Sequence, residues 1–264
     1  MHSSKPTNNQ SQDEALLGKI GSLLRDPKVN AKKWLIVIVV IFLGFTFIKD
    51  ILLPNRIVNY RLEIAFEVDG VPVFGSGVQQ LSIRRVPQIL TTTSIVKNVY
   101  GEAVVIDLLD RGAIFALLGS PVAKNEVRLS SIGLFNSLLM RSCGLTESLK
   151  HKTWNDYIRS IGRITGECEI AHEDLPIFVH FSDETDPYSA QRVDPENPDT
   201  TLGKGIRFLN ARLVVTNERI SQKIDQRLDW LTDDSGKRLV VHLDAEKQPF
   251  ARSLTNGMFR RMTK

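Results

Sequence analysis

VNYRLEIAFEVDG, residues 58–70, decides the fold. Val58, Tyr60, Leu62, Ile64, Phe66 and Val68 alternate with Asn59, Arg61, Glu63, Ala65, Glu67 and Asp69. Successive side chains of a strand point to opposite faces, so this pattern predicts a β-strand with one face buried and the other wet. Asp69-Gly70 follows at once, and a pair of this kind takes the positive φ angles that a tight hairpin turn requires. Val71, Val73, Leu81 and Ile83 then continue one face of a return strand. The stretch Phe74-Gly75-Ser76-Gly77 interrupts it. A phosphate-binding loop would need a helix after such glycines and none follows, so the expectation is a bulge or a close backbone approach.

Working towards the C-terminus, a second hairpin is expected within residues 102–118. Val104, Ile106 and Leu108 alternate, Asp110-Arg111-Gly112 turns the chain, and AIFALL returns. Two helices follow in the reading. Ile132, Leu134, Phe135, Leu138 and Leu139 form one stripe, capped by Ser130 or Ser131 and ended by Gly144. Trp154, Tyr157, Ile158 and Ile161 form the other, capped by Thr153. LPIFVHF, residues 175–181, reads as a strand buried on both faces because its apolar run does not alternate. A polar loop with Pro187, Pro195 and Pro198 is expected from Ser182 to Lys204. Strand character returns in IRFLNARLVV, residues 206–215, with a parity shift between Phe208 and Leu209 that suggests a bulge. Beyond Lys247 the chain is basic with few large apolar residues, so 247–264 is expected to be a flexible basic tail. Hairpins with a helical insert predict an α+β fold whose sheet is mostly antiparallel.

Working towards the N-terminus, the run WLIVIVVIFLGFTFI, residues 34–48, contains twelve Leu, Ile, Val or Phe residues. At ~0.3–0.6 kcal/mol each they favour the bilayer by about 5 kcal/mol. Fifteen helical residues reach only ~22 Å, and continuation through Leu53 supplies the length a ~30 Å hydrocarbon core requires. Residues 34–53 therefore read as a single transmembrane signal-anchor ended by Pro54. Lys19, Arg25, Lys28, Lys32 and Lys33 precede it, against Lys49, Arg56 and Arg61 after it. This bias puts the N-terminus in the cytoplasm and the domain, 57–246, outside. Residues 1–12 are polar and expected to be disordered. Leu16, Leu17, Ile20, Leu23 and Leu24 form one face of a short amphipathic helix behind the capping pair Ser11 and Glu14, lying on the membrane within the cytoplasmic segment 1–33.

The formal charge is +4, with basic and acidic residues interleaved, so no nucleic-acid partner is expected. Cys143 and Cys168 either pair in an oxidising compartment or remain two small, partly buried thiols. The chain shows no motif for a cofactor or metal. Asp183-Glu184-Thr185-Asp186 lacks the ordered spacing of a calcium loop. His172, His180 and His242 contain no H-x-x-x-H pair. Gly203-Lys204-Gly205 precedes a strand rather than a helix, and no serine sits in a G-x-S-x-G elbow. Catalytic residues are not legible. The candidate partner-binding residues are Asp183, Asp186, Tyr188, Arg192, Asp194 and Glu196, because long connections are often functional and Tyr188 could anchor a partner.

Five segments carry a resemblance: YRLEIAFEVDG with GSGVQQL, GEAVVIDLLDRGAIFALL, DLPIFVHFSDETDPYSAQRVDP, GIRFLNARLVVTNERI and IDQRLDWL. Across Tyr60 to Leu231 the chain resembles a family of uncharacterised proteobacterial proteins with an N-terminal hydrophobic anchor and one extracytoplasmic domain. The polar extension before the anchor is longer than in the family's usual pattern. The resemblance implies a Gram-negative inner membrane with the domain in the periplasm, and it carries over no catalytic residue. The expected function is a binding or structural module of the cell envelope, with membrane lipid and an envelope protein as partners. The alternatives are an envelope hydrolase around His180, Asp183 and Asp186, and a phage-related or cargo-type protein that merely uses an anchor.

Overall fold

The computed structural model describes residues 34, 36–42, 44, 55–85, 95–118, 120–123, 126–130, 142–143, 154–231, 239 and 249–262. The chain divides into two units, 1–52 and 53–264. In the first, residues 36–42 are helical, and all seven side chains, from Ile36 to Phe42, are exposed. Among the described residues no helix is long and apolar enough to cross a membrane. Most of the expected 34–53 span, the 11–24 helix and the 132–139 stripe lie outside them.

The second unit is α+β with antiparallel sheets. Strand β1 (Asn55–Val68) occupies the inside of a six-stranded sheet. On one side it pairs with β2 (Val71–Arg85), which pairs with β3 (Ile95–Glu102) and then β12 (Arg260–Arg261). On the other it pairs with β11 (Ile206–Thr216), edged by β8 (Glu167–Glu169). A four-stranded sheet runs in the order β10 (Ala190–Val193), β9 (Phe178–Phe181), β5 (Ala113–Ala116), β4 (Val104–Asp107). A short ladder joins β6 (Ser120–Ala123) to β7 (Glu126–Ser130), so Ser130 ends a strand. Helix α1 (Trp154–Ile161) forms where its apolar spacing predicts it, with Ile158 and Ile161 buried.

The alternation in β1 is realised side chain by side chain. Val58, Tyr60, Leu62, Ile64, Phe66 and Val68 are all buried against the four-stranded sheet. On the other face Arg61, Glu63 and Glu67 hold ion pairs at the surface. The four-stranded sheet is covered on both sides. Ile106, Ile114 and Phe178 face β1, while Phe115, Val179 and Phe181 face a second core with Ile224, Leu228, Ala251, Leu254 and Phe259. That double burial explains why AIFALL and LPIFVHF are continuous apolar runs.

The Gly-x-Gly of β2 is a close backbone approach. A Cβ at Gly75 would lie 2.4 Å from Val105 O and 2.6 Å from Ile106 Cγ1, and one at Gly77 would lie 3.2 Å from Val104 Cγ2. The glycines let the two sheets meet where β4 crosses β2. The register of β1 on β11 shifts between Ala65 and Phe66, which leaves Leu209 as the extra residue of the expected bulge.

Two expectations are corrected. Residues 182–204 are not one long connection: Pro187–Ser189 form a 3-10 turn, β10 adds the edge of a sheet, and Asp199–Leu202 form a helical turn, α2. Residues 249–262 are not a flexible tail. Helices α3 (Pro249–Ser253) and α4 (Asn256–Phe259) bury Ala251 and Phe259, Leu254 is buried between them, and β12 then pairs with Gly101 and Glu102. The open choice at the cysteines resolves to a bond: Cys143 and Cys168 form a disulfide with their Cα atoms 5.3 Å apart.

Candidate functional site

A cleft of about 600 Å³ opens where β1 turns into β2. Glu67, Asp69 and Gly70 supply one wall, Gly205 to Phe208 at the start of β11 supply the floor, and His172 with residues 195–199 supply the other wall. Each polar group there is held in place. Glu67 accepts two hydrogen bonds from Arg207 Nη2, at 3.1 and 3.0 Å. Asp199 Oδ1 accepts the backbone N–H of Ile206 at 3.2 Å, which caps the start of β11. His172 Nδ1 stands 3.4 Å from Glu196 Oε1, and the His172 ring meets Phe208 edge-on at 6.1 Å. Arg111 ties three turns together by donating to Asp69 and to the carbonyl of Lys204. Strand pairing of β1 with β11 and the Asp69-Gly70 turn thus bring into one cleft groups that the sequence places more than a hundred residues apart.

A second, smaller basin of about 470 Å³ lies on the wet face of β1, between Phe74 and the Glu63–Arg212 pair. The hydrogen bond that Arg212 donates to Glu63, with the charge of that carboxylate, raises the pKa of the Arg212 guanidinium. Phe74 stands beside Ala65 and is 73% exposed.

The candidate partner-binding residues divide into two groups. Asp183 Oδ1 accepts both the hydroxyl and the backbone N–H of Thr185, which holds its carboxyl below the usual range. Asp186 Oδ1 accepts the N–H of Tyr188, Asp194 Oδ1 accepts that of Glu196, and the half-buried Tyr188 packs on the second core. These three carboxylates shape their own turns. Arg192 is exposed on β10, and only Glu196 lines the cleft. His180 Nδ1 donates to Ala113 O at 3.0 Å across the strand pair, rather than to a carboxylate. Among the described residues no three His, Cys, Asp or Glu side chains are grouped to hold a metal ion.

Two polar assemblies have no signature in the sequence. Tyr60 donates to Gln79 Oε1 at 2.8 Å, and Gln79 Nε2 donates to the Glu102 carbonyl at 3.0 Å. The buried Glu102 carboxylate accepts the N–H groups of Lys223 and Ile224 at 2.7–2.9 Å, fixing the 3-10 turn Ile224–Gln226. Burial drives the Tyr60 hydroxyl well above its ordinary pKa. Nearer the surface, Arg227 forks onto Glu184 at 2.6 and 3.1 Å and also reaches Asp107. The hydrogen bonds that Arg227 donates to Glu184 lead in raising the pKa of this guanidinium. Trp230 Nε1 donates to the Glu184 carbonyl at 2.7 Å. Polar spacing does not announce either assembly, because the members of the first come from four separated segments and those of the second from three. Comparison with family models, with curated proteins and with solved structures finds no match to this chain.

Proposed function

We propose that the chain is a single-pass membrane protein that displays an extracytoplasmic α+β binding module. The observation that carries this reading is the apolar run. Ile36, Val37, Ile38, Val39, Val40, Ile41 and Phe42 are consecutive, helical and exposed, at 47–68% of their surfaces. A helix that is apolar around its whole circumference has no wet face to offer water, and a lipid environment removes that penalty. The Cys143–Cys168 bond supports an outside location for the domain, since structural disulfides persist in oxidising compartments. The same location follows from the charge bias of the flanks and from the resemblance to anchored envelope proteins of proteobacteria, with the domain in the periplasm.

A binding role rests on the cleft, whose size is that of a ligand site and whose polar groups converge from several segments. The hydrolase alternative finds no support in its own residues, because His180, Asp183 and Asp186 direct their hydrogen bonds into strand pairing and turns. Fusions of alkaline phosphatase and green fluorescent protein after Lys264 test the topology. The expected result is an active phosphatase and a dark fluorescent fusion, and the opposite pair overturns the outside placement. A photo-crosslinker at Glu196 tests the cleft. A discrete crosslinked species in membranes is expected, and its absence there counts against a binding role.

A further inference from the structure

The strand register gathers basic side chains at one end of the six-stranded sheet. Asn55 pairs with Arg84, Arg56 with Ile83, Ile83 with Lys97, and Arg85 with Ile95. The C-terminal end of α1 reaches the same corner: a Cβ at Gly162 would lie 2.9 Å from Arg56 Cδ. Residues 55–60, 80–85, 95–100 and 154–165 contain Arg56, Arg84, Arg85, Lys97, Arg159 and Arg163 with Asp156 as their one acid, and Glu218, which follows β11 beside Asn59, is held by Arg61 and followed by Arg219. Asp156 lies 3.9 Å from Arg159, its i+3 neighbour. Arg56, Arg84 and Arg163 are exposed, and no described carboxylate pairs with them.

The other end of β1 has the opposite character. At ~3.3 Å per residue the fourteen residues of β1 extend about 43 Å. Near its far end stand Glu67, Asp69, Asp110, Glu196 and Asp199, where Arg207 and Arg111 are already engaged by Glu67 and Asp69. The domain is therefore electrically lopsided along β1, with Arg56, Arg84 and Arg163 exposed at the end where β1 begins.

That end is also the one tied to the apolar run. On the anchored reading, residue 55 follows Leu53, the last residue of the expected span, by two positions. We propose that this basic corner rests on the bilayer and binds anionic lipid headgroups. The proposal depends on the anchored reading above, which brings the corner to the membrane surface. Lysines and arginines near an anionic surface gain about 1 kcal/mol each, roughly fivefold in affinity, and salt screens the attraction. Arginine suits the role because its planar fork bonds phosphate oxygens in pairs. The acidic far end is repelled by the same surface, so one field attracts the basic corner and turns the cleft towards the aqueous side.

The test uses the full chain in vesicles of phosphatidylcholine alone or with phosphatidylglycerol added. Arginines are modified with phenylglyoxal and quantified by mass spectrometry, and each sample is also floated on a density gradient. The expected result is flotation with both vesicle types. Arg56, Arg84 and Arg163 should be modified about fivefold more slowly in the anionic vesicles, matching ~1 kcal/mol of contact per residue. High salt should remove that protection, and Arg192 on β10 should react equally in all samples. A chain that floats but shows equal rates at the three arginines overturns this proposal alone. A chain that does not float overturns the anchored reading, and the lipid contact falls with it.

Discussion

Replacing both Cys143 and Cys168 by serine isolates the contribution of the one disulfide. The two positions are 25 apart in sequence, and a bridge closing such a loop restricts the unfolded chain by about 3.5 kcal/mol in the chain-entropy description. A domain of roughly two hundred residues shifts by ~2–4 °C for each kcal/mol, so the melting temperature should fall by about 7–14 °C. The loss should be local before it is global. Strand β8 has three residue pairs with β11, Cys168 lying opposite Leu213. Around them are the bonds from Ile170 N to Ala211 O at 3.0 Å and from Val215 N to Gly166 O at 2.9 Å, and the exposed Arg212–Glu167 pair. Without the bridge, an edge this short should open while β1 and β2 stay protected. Calorimetry measures the first effect and amide hydrogen exchange the second. Wild-type protein in reductant should melt with the serine variant. A double variant within about 2 °C of wild type would refute the argument. So would complete alkylation of both cysteines in unreduced, denatured protein, because a bridged pair does not react.

Three further outcomes follow from the packing. Gly75→Ala should destabilise the domain by more than about 2 kcal/mol in urea, since its Cβ meets backbone at 2.4 Å, while Gly77→Ala meets a movable Val104 methyl and should cost clearly less; equal costs would contradict the sheet crossing. Phe259→Ala should cost ~3–5 kcal/mol, because its ring packs on Phe115, Phe181 and Trp230, and a loss below about 1 kcal/mol would mean that residues 249–262 do not close the second core. Tyr60→Phe should cost about 1–2 kcal/mol near neutrality through the lost bond to Gln79. As pH climbs past the ordinary tyrosine range, the unfolded chain releases the Tyr60 proton while the folded chain keeps it, so wild type loses up to ~1.4 kcal/mol per pH unit through this group and the gap to the variant should narrow. A gap that is the same at neutral and strongly alkaline pH, measured by urea unfolding, would refute the assignment.

The legible parts of the fold are those in which one residue pattern answers to one physical demand. β1 alternates because one face is core and the other carries ion pairs, so its face assignment could be read directly. The parity break at Leu209 and the glycines at 75 and 77 were legible for the same reason: each violates a period that its neighbours keep. β10 sets up no such period. Only Ala190 and Val193 of its four residues are buried, and the flanking prolines and aspartates give a loop's composition. Its place comes from β9, which needs an edge partner, and that demand is tertiary. The C-terminal segment was missed in a related way. Ala251 and Phe259 lie in helices of five and four residues and Leu254 lies between them, so no 3.6-residue period can declare itself.

The cleft and the basic corner were illegible for a common reason: both are products of register. Glu67 and Arg207 are 140 residues apart and meet only because Val68 lies opposite Ile206. Arg56, Arg84 and Lys97 read singly as scattered surface charges, and their sum along the chain is a modest +4. Once the hairpins are closed in this register, those charges sort to one end of a strand about 43 Å long and the acids to the other. Net charge is a scalar and cannot report that separation, whereas the field of a folded domain depends on it directly. An antiparallel meander brings alternate strand ends back to the same place. Cations at the beginning of β1, the end of β2 and the beginning of β3 are therefore three readings of one location. Scrambling their sequence positions within the strands would keep the net charge and lose the corner. Placement, and not composition, is what the proposed lipid contact requires.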